Sequence, residues 1–347
     1  MDLRSANSED MESLVAGMQQ PGYRACQLFK WVHKYGETSF SGMTDLPLEF
    51  REQLQKDCII SFPEIADTQE SAIDDTVKLL LRLSDGEAVE CVIMPHEDHS
   101  GKCTVCVSSQ VGCPVGCTFC ATGSMGFVRD LKVPEILSQV YIANKIEKQK
   151  GGHVSNVVFM GMGEPFLNYN EVMKSLRILM DPNGLGIGQR RIVVSTAGYV
   201  PGIIRMAGEG IQAVLAVSLH AADNDLRNSL MPINRKYPLE KVSEACRYYN
   251  QETGRRITFE YALINELNDT PDCACKLAAF IKPLLANVNI IPLNNVDHFN
   301  YTRSSSARIV AFAEILKKKG IEAVVRKERG ADIAGACGQL RCRKQQS

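Results

Sequence analysis

The chain has 347 residues, 45% of them hydrophobic and 23% charged, with a formal net charge of −1. That length suits one barrel-like domain with an appendage or two domains, and the composition excludes collagen-like, coiled-coil and disordered classes. The near-neutral total conceals a division: residues 1–100 hold 8 Lys+Arg against 19 Asp+Glu, whereas residues 101–347 hold 31 against 21, which on charge alone fits either a polyanionic partner on the second part or a solvated basic surface.

No apolar run approaches the ~20 residues of a membrane span. The opening MDLRSANSED has no apolar signal core, so a cytoplasmic protein without membrane contact is expected. Over residues 8–57 the apolar positions recur at helical spacing, among them Ala25, Leu28, Phe29 and Val32, with Pro21-Gly22 and Thr44-Asp45 as breaks. A small helical unit follows from that. Residues 77–83 and 88–94 are β-rich runs around Ser84-Asp85-Gly86-Glu87, which predicts a hairpin.

Beyond residue 100 the pattern changes. Apolar β-branched runs at 104–108, 156–160, 191–195, 213–218, 258–263 and 289–292 alternate with amphipathic stretches at 133–149, 169–180, 201–207, 239–252, 271–285 and 305–319. Six βα units without a Gly-rich dinucleotide fingerprint predict an α/β fold, a partial (β/α)6 TIM-like barrel, with a last strand at 323–326 leading into the tail. The expected domains are a helical accessory domain over 1–70, a β-hairpin extension over 71–100 and the barrel with its tail over 101–340. Chemistry is expected at the carboxyl ends of the strands.

Thirteen cysteines in a chain without a secretory leader are not a disulfide framework. Three of them, Cys113, Cys117 and Cys120, stand in one C-x₃-C-x₂-C loop after the first barrel strand. Structural zinc asks for four protein ligands, and an electron-transfer cluster usually has four cysteines. Three thiolates can hold three irons of a [4Fe-4S] cluster and leave the fourth iron open. Radical S-adenosylmethionine (SAM) enzymes use such an iron to chelate the cofactor's amino and carboxylate groups and release a 5′-deoxyadenosyl radical.

Polar groups recur at the later strand ends, as Gly161-Met162-Gly163-Glu164-Pro165, Ser195-Thr196, Ser218-Leu219-His220 and Pro292-Leu293-Asn294. Taken singly, Gly-x-Gly-Glu-Pro is as readily a turn, and His220 a satisfied polar residue. Their joint recurrence favours a site, with Glu164 suited to the ammonium of the methionine moiety.

From about Gly22 to Leu340 the sequence closely resembles the radical SAM adenine methyltransferases that modify C2 in 23S ribosomal RNA and tRNA. The resemblance is carried by Cys106-Val-Ser-Ser-Gln-Val-Gly-Cys113, Phe159-Met-Gly-Met-Gly-Glu-Pro165, Ser218-Leu-His220, Leu230-Met-Pro-Ile-Asn234 and Asp332-Ile-Ala-Gly-Ala-Cys-Gly-Gln-Leu340. It implies a [4Fe-4S] cluster on Cys113, Cys117 and Cys120. It implies two SAM molecules per turnover, bound by Gly163, Glu164, Ser195, Ser218, Leu219, His220 and Asn294. Cys337 would carry the methyl group, Cys106 would resolve the crosslink by forming a disulfide with Cys337, and Glu90 would be the general base. RNA is the implied partner, with an external electron donor such as flavodoxin.

The reaction explains the extra cysteines. Adenine C2 is an electron-poor carbon without a lone pair and cannot displace a methyl group from a sulfonium, whereas a thiolate can. In the family the methylated tail cysteine then loses a hydrogen to the radical, adds to C2, and is released by the second cysteine.

Each residue has a plainer alternative: Cys337 as a small turn residue, Cys106 as a buried strand thiol, Glu90 as a solvated strand residue. Cys103, three residues ahead of Cys106 in C-x₂-C spacing, is outside the family pattern, and His96-Glu97-Asp98-His99 reads as a polar turn. The scattered Cys26, Cys58, Cys91, Cys246, Cys273, Cys275 and Cys342 are expected to be inert. RNA contact is expected over Arg190-Arg191, Arg255-Arg256, Lys317-Lys318-Lys319, Arg326-Lys327 and residues 341–344, since the amino-terminal part is acidic. Three other functions stay open: a C8-directed relative, a radical SAM enzyme acting on a small molecule, and a non-catalytic RNA-binding protein with a structural metal.

Overall fold

The computed structural model describes residues 1–294 and 300–341. Helices α1 (Ser8–Gly17), α2 (Tyr23–Phe29) and α3 (Leu48–Asp57) open the chain. Asn7 starts α1: its side chain accepts the Asp10 N–H at 2.8 Å, and Asp10 accepts the Asn7 N–H at 3.0 Å. This capping box satisfies two amides that have no partner inside the helix. Leu3, Met11, Val15, Phe29, Val32 and Leu54 are buried in a hydrophobic core shared with the rest of the chain. His33 seals the seam, with Nδ1 2.7 Å from the Tyr141 hydroxyl and Nε2 3.0 Å from the Ala6 carbonyl.

Strands β1 (Glu64–Glu70), β2 (Val77–Arg82), β3 (Ala88–Pro95) and β4 (Lys102–Cys106) are mutually antiparallel neighbours. The hairpin expected over 77–94 is therefore present. β1 went unread because EIADTQE is nearly all polar and exposed; such charge suits an edge strand and erases the alternation that marks a half-buried one.

After β4 come β5 (Gln110–Gly112), α4 (Ala121–Ser124) and β6 (Phe127–Asp130). Then α5 (Val133–Gln149), β7 (His153–Phe159), α6 (Tyr169–Met180), β8 (Ile192–Thr196), α7 (Val200–Ala207) and β9 (Val214–Ser218) alternate. The chain continues through α8 (Asn224–Leu230), α9 (Leu239–Thr253), β10 (Ile257–Leu263), α10 (Pro271–Ile281), β11 (Ala286–Pro292), α11 (Ser306–Lys318) and β12 (Ala323–Val325).

Ten strands form one sheet in the order β1-β2-β3-β4-β7-β8-β9-β10-β11-β12, parallel from β4 onward. The βα units from β4 to β11 make the expected partial barrel, and no pairing among the described residues closes it. The expected helix at 271–285 stops at Ile281: Lys282 still has helical backbone (φ −48°, ψ −38°), but Pro283 has no N–H with which to continue the ladder.

A parallel sheet has two unlike ends, and the basic residues expected to contact RNA divide between them. Arg190-Arg191 and Arg255-Arg256 immediately precede β8 and β10, and Lys317-Lys318-Lys319 at the end of α11 lead into β12, so they stand towards the amino ends of the strands, opposite the polar motifs. Arg326-Lys327 follows β12 at the carboxyl end; residues 342–344 of the basic tail, and Cys342, fall outside the described residues.

Candidate active site

The site is wired by the residues between Cys106 and Cys113. Gln139, inside α5, accepts the Ser108 N–H at 2.7 Å and donates to the Ser108 carbonyl at 2.9 Å. The Ser108 hydroxyl donates to the Glu90 carbonyl at 2.6 Å and accepts the Met162 N–H at 2.9 Å. Gln110 Oε1 accepts the Glu164 N–H at 2.8 Å. The ends of β3, β4 and β7 are thereby locked together through buried polar groups, each of which has a partner.

The three loop cysteines follow. β5 pairs with β6 around them, with a register shift where Gly112 (φ +74°) passes so close to Gly126 that a Cβ would fall 1.9 Å from its carbonyl oxygen. Cys113, Cys117 and Cys120 line one cavity of about 140 Å³ together with Gly163, Glu164, Ser195, Ser218, His220, Asn294 and Cys337. Burial pushes the Cys113 thiol up to about 12 and Cys117 well above the usual thiol range.

The donor set fits an iron–sulfur cluster. Among the described residues no three thiol, imidazole or carboxylate groups converge on a single-ion site, whereas a four-iron cube spreads its cysteines over separate corners. The polar wall fits a ligand with hydrogen-bond donors, since Asn294 Oδ1 is buried and has no partner among the described residues. Gly163, at φ +101°, has no room for a side chain: a Cβ there would lie 2.6 Å from the Gln110 Cβ.

Glu164 accepts the Ala197 N–H at 2.6 Å and the Phe166 N–H at 3.1 Å, and burial raises it to about 7 in spite of them. His220, at φ +56°, accepts the Ala262 N–H on Nδ1 at 2.9 Å, which leaves the proton of the neutral ring on Nε2. Burial lowers it to about 3. The Ser195 and Ser218 hydroxyls are 3.5 Å apart. Leu219 is the exception: its side chain is buried in the core and not on the cavity wall, and it contributes a carbonyl to Arg227.

The tail crosses the mouth of the sheet. The Ala121 N–H donates to the Gly338 carbonyl at 2.8 Å, the Thr122 hydroxyl to the Leu340 carbonyl at 2.7 Å, and the Asn294 amide to the Cys337 carbonyl at 3.0 Å. Cys337 is exposed at the tail and lines this cavity, where desolvation by its surroundings pushes its thiol up to about 11 against the pull of Arg326. It also lines a second cavity of about 70 Å³, and Cys106 lines that cavity too. Glu90 is not on either cavity wall; its Oε2 accepts the Arg341 N–H at 2.7 Å and its Oε1 lies 3.5 Å from Lys78 Nζ, so it holds the tail. Burial raises its carboxyl despite Lys78.

Every described cysteine is a free thiol, so the Cys106–Cys337 disulfide implied by the resemblance is not formed in this structure. A larger cleft of about 890 Å³, lined by Phe62, Lys132, Glu171 and Lys174 among others, has no cysteine in its lining.

Sequence reasoning missed Arg227 and Glu260. Buried Arg227 donates to the carbonyls of Leu219 at 3.0 Å, Ala197 at 2.8 Å and Ser218 at 3.2 Å, and to Asn234 Oδ1 at 2.7 Å. The Leu230-Met-Pro-Ile-Asn234 motif was the signal that would have found it. Glu260, buried on β10 beside Ser218, carries no motif at all.

A parallel βα sheet with a three-cysteine loop beyond its first parallel strand, facing polar groups at the next strand ends, defines a radical SAM protein. Residues 107–272 match the Radical SAM superfamily, and residues 1–60 match the "Ribosomal RNA large subunit methyltransferase N-terminal domain". The chain is 45% identical over 338 residues to the "probable dual-specificity RNA methyltransferase RlmN" of Syntrophomonas wolfei, covering 95% of this chain and 94% of that protein. It is 47% identical over 343 residues to the protein so named in Moorella thermoacetica, with 98% and 97% covered. The crystal structure of a radical SAM methyltransferase from Sphaerobacter thermophilus superposes with a TM-score of 0.94 at 44% identity, covering 98% of this chain and 99% of that one. The chain belongs to the RlmN family of radical SAM methyltransferases.

Proposed function

We propose that the protein methylates C2 of an adenosine in 23S ribosomal RNA and in tRNA, through a methylated Cys337. The observation that carries this reading is the position of Cys337, which lines both the cavity of Cys113, Cys117 and Cys120 and that of Cys106. Two chemistries need to reach one sulfur, and the tail offers it to both. The dual-specificity naming of the relatives and the ribosomal N-terminal match support the two RNA classes.

Cys113, Cys117 and Cys120 would hold the cluster, and Gly163, Glu164, Ser195, Ser218, His220 and Asn294 would hold SAM, with Leu219 acting through its backbone. When bound, cluster and cofactor supply the methyl group and a 5′-deoxyadenosyl radical. Cys337 presents the one-carbon unit to the ring carbon. Glu90 would take the C2 proton, and burial suits it to that, since a raised carboxyl is a stronger base once charged. To do so it first has to exchange its bond with the Arg341 N–H for the substrate. Cys106 then attacks the Cys337 sulfur.

A cytoplasmic setting and a flavodoxin-type electron donor complete the proposal. Free thiols throughout the described chain support a reducing compartment, and no described helix is long and apolar enough to cross a membrane.

The test is nucleoside mass spectrometry of RNA from cells with and without the protein. 2-Methyladenosine that disappears with the gene is the expected result; unchanged rRNA and tRNA would overturn the proposal.

A further inference from the structure

The second cavity holds both thiols and a cation. It is lined by Cys106, Cys337, Met160, Asn294 and the run Arg326-Lys327-Glu328-Arg329. The other charges of that run are committed elsewhere: Lys327 to Glu97 at 2.8 Å, Arg329 to Glu97 at 3.3 Å, and Glu328 to Arg303. Arg326 is turned inward. Its N–H extends the sheet onto the Ile290 carbonyl at 2.8 Å, its Nη1 lies 3.6 Å from buried Glu260 Oε2, and the same nitrogen reaches Met160 Sδ at 3.7 Å. Glu260 is itself fixed by Asn289, which donates to Oε1 at 2.9 Å.

Cys106 is a poor thiolate without help. Desolvation pushes it up to about 12, and Cys337 opposes its ionisation further; the Met160 N–H and Arg326 act the other way. From β3 the titratable neighbour is Cys91, a buried thiol that carries no charge. Arg326 shares the cavity with Cys106, and unlike Lys327 and Arg329 it is not drawn off to Glu97, so its positive charge favours the Cys106 thiolate.

Resting on the proposed function, we infer that Arg326, held in place by Glu260, is a positioning residue that selects the thiolate of Cys106 for product release. In that step the Cys106 thiolate attacks the sulfur of the thioether joining Cys337 to the substrate methylene. The S–S bond forms, the S–C bond breaks, and its electron pair goes to the methylene, which takes up one proton to become the methyl group. No further oxidant is consumed.

The arrangement also times the step. While Cys337 can ionise, its charge and that of Cys106 compete for one arginine. Once Cys337 carries carbon it can no longer be an anion, and Arg326 acts on Cys106 alone. The resolving thiolate is thus favoured once Cys337 is methylated and disfavoured while Cys337 is a free thiol, which guards against premature disulfide formation.

The test has two arms on the full chain. In the cluster-free protein with Cys337→Ala, the rate of Cys106 alkylation by iodoacetamide is followed against pH by mass spectrometry. Arg326→Met is expected to move the midpoint up by about one pH unit, a tenfold slower reaction at fixed pH. Arg326→Lys restores most of it, and Cys26 serves as an internal control of integrity. In the reconstituted enzyme with intact Cys337, Arg326→Met is expected to accumulate the covalent RNA adduct that Cys106→Ala also traps. An unshifted alkylation profile, or a shift shared by Cys26, overturns the role of Arg326. Absence of any adduct in Cys106→Ala overturns instead the reading of Cys106 and Cys337 on which it rests.

Discussion

Replacing Arg227 with Met tests whether the ends of β8 and β9 are held by one buried cation. The guanidinium donates to three main-chain carbonyls and to Asn234 Oδ1, and burial lowers its own pKa to about 10. Methionine fills the shape and removes every donor. A buried acceptor left without a partner costs about 1–3 kcal/mol, and breaking a buried charged network costs about 3–5 kcal/mol. Removing the desolvation cost of the guanidinium offsets part of this, so a net loss of about 3 kcal/mol is expected for the cluster-free chain. The assay is the urea midpoint of Arg227→Met beside Arg227→Lys, which keeps the charge and fewer of the bonds. SAM affinity should fall in parallel, because the Ser218 and Ala197 carbonyls flank the cavity. A variant within about 0.5 kcal/mol of the parent would refute the argument, since surface-like losses are of that size.

Gly163→Ala should weaken SAM binding at least tenfold in equilibrium dialysis while leaving the other loops intact, because φ +101° and the Gln110 side chain 2.6 Å from a Cβ both oppose it. Lys78→Met should leave Glu90 without its cation and the Ala334 carbonyl without its 3.4 Å donor; amide exchange over 334–341 should quicken, and the Glu90 carboxyl should rise further. Acid sensitivity has a definite sign. His33 and His220, both held near 3, bind protons only in the unfolded chain between about pH 6.5 and 3, so each removes stability as the pH falls. Glu164, raised to about 7, is protonated first in the folded chain between about 4.5 and 7 and acts oppositely. These three groups together give about 1.4 kcal/mol per pH unit between 6.5 and 4.5, steepening to about 2.7 below. His33→Gln should reduce the slope by one proton, as measured from urea midpoints across that range.

What could be read from the residues, and what could not, follows from where the information is stored. α5 and α6 carry strong apolar periodicity, and their expected bounds, 133–149 and 169–180, are the observed ones. β1 carries none and was invisible until its pairing with β2 appeared. At the site the split is similar. The loop cysteines, Gly163, Glu164, Ser195, Ser218, His220, Asn294, Cys106 and Cys337 sit in motifs at strand ends, and the fold brings them onto two adjoining cavities. Leu219 shared a motif but faces the core, because alternate residues leaving a strand point to opposite sides. Arg227, Glu260 and Arg326 lie on α8, on β10 and just past β12, with no spacing to link them. Their roles arise only because buried charges must find partners: Arg227 in the carbonyls of two strand ends, and Glu260 in the half-buried Arg326. A buried arginine such as Arg227 is therefore a guide to the second layer of such a site, and the bonds it makes mark the strand ends that it fixes beneath the cavity.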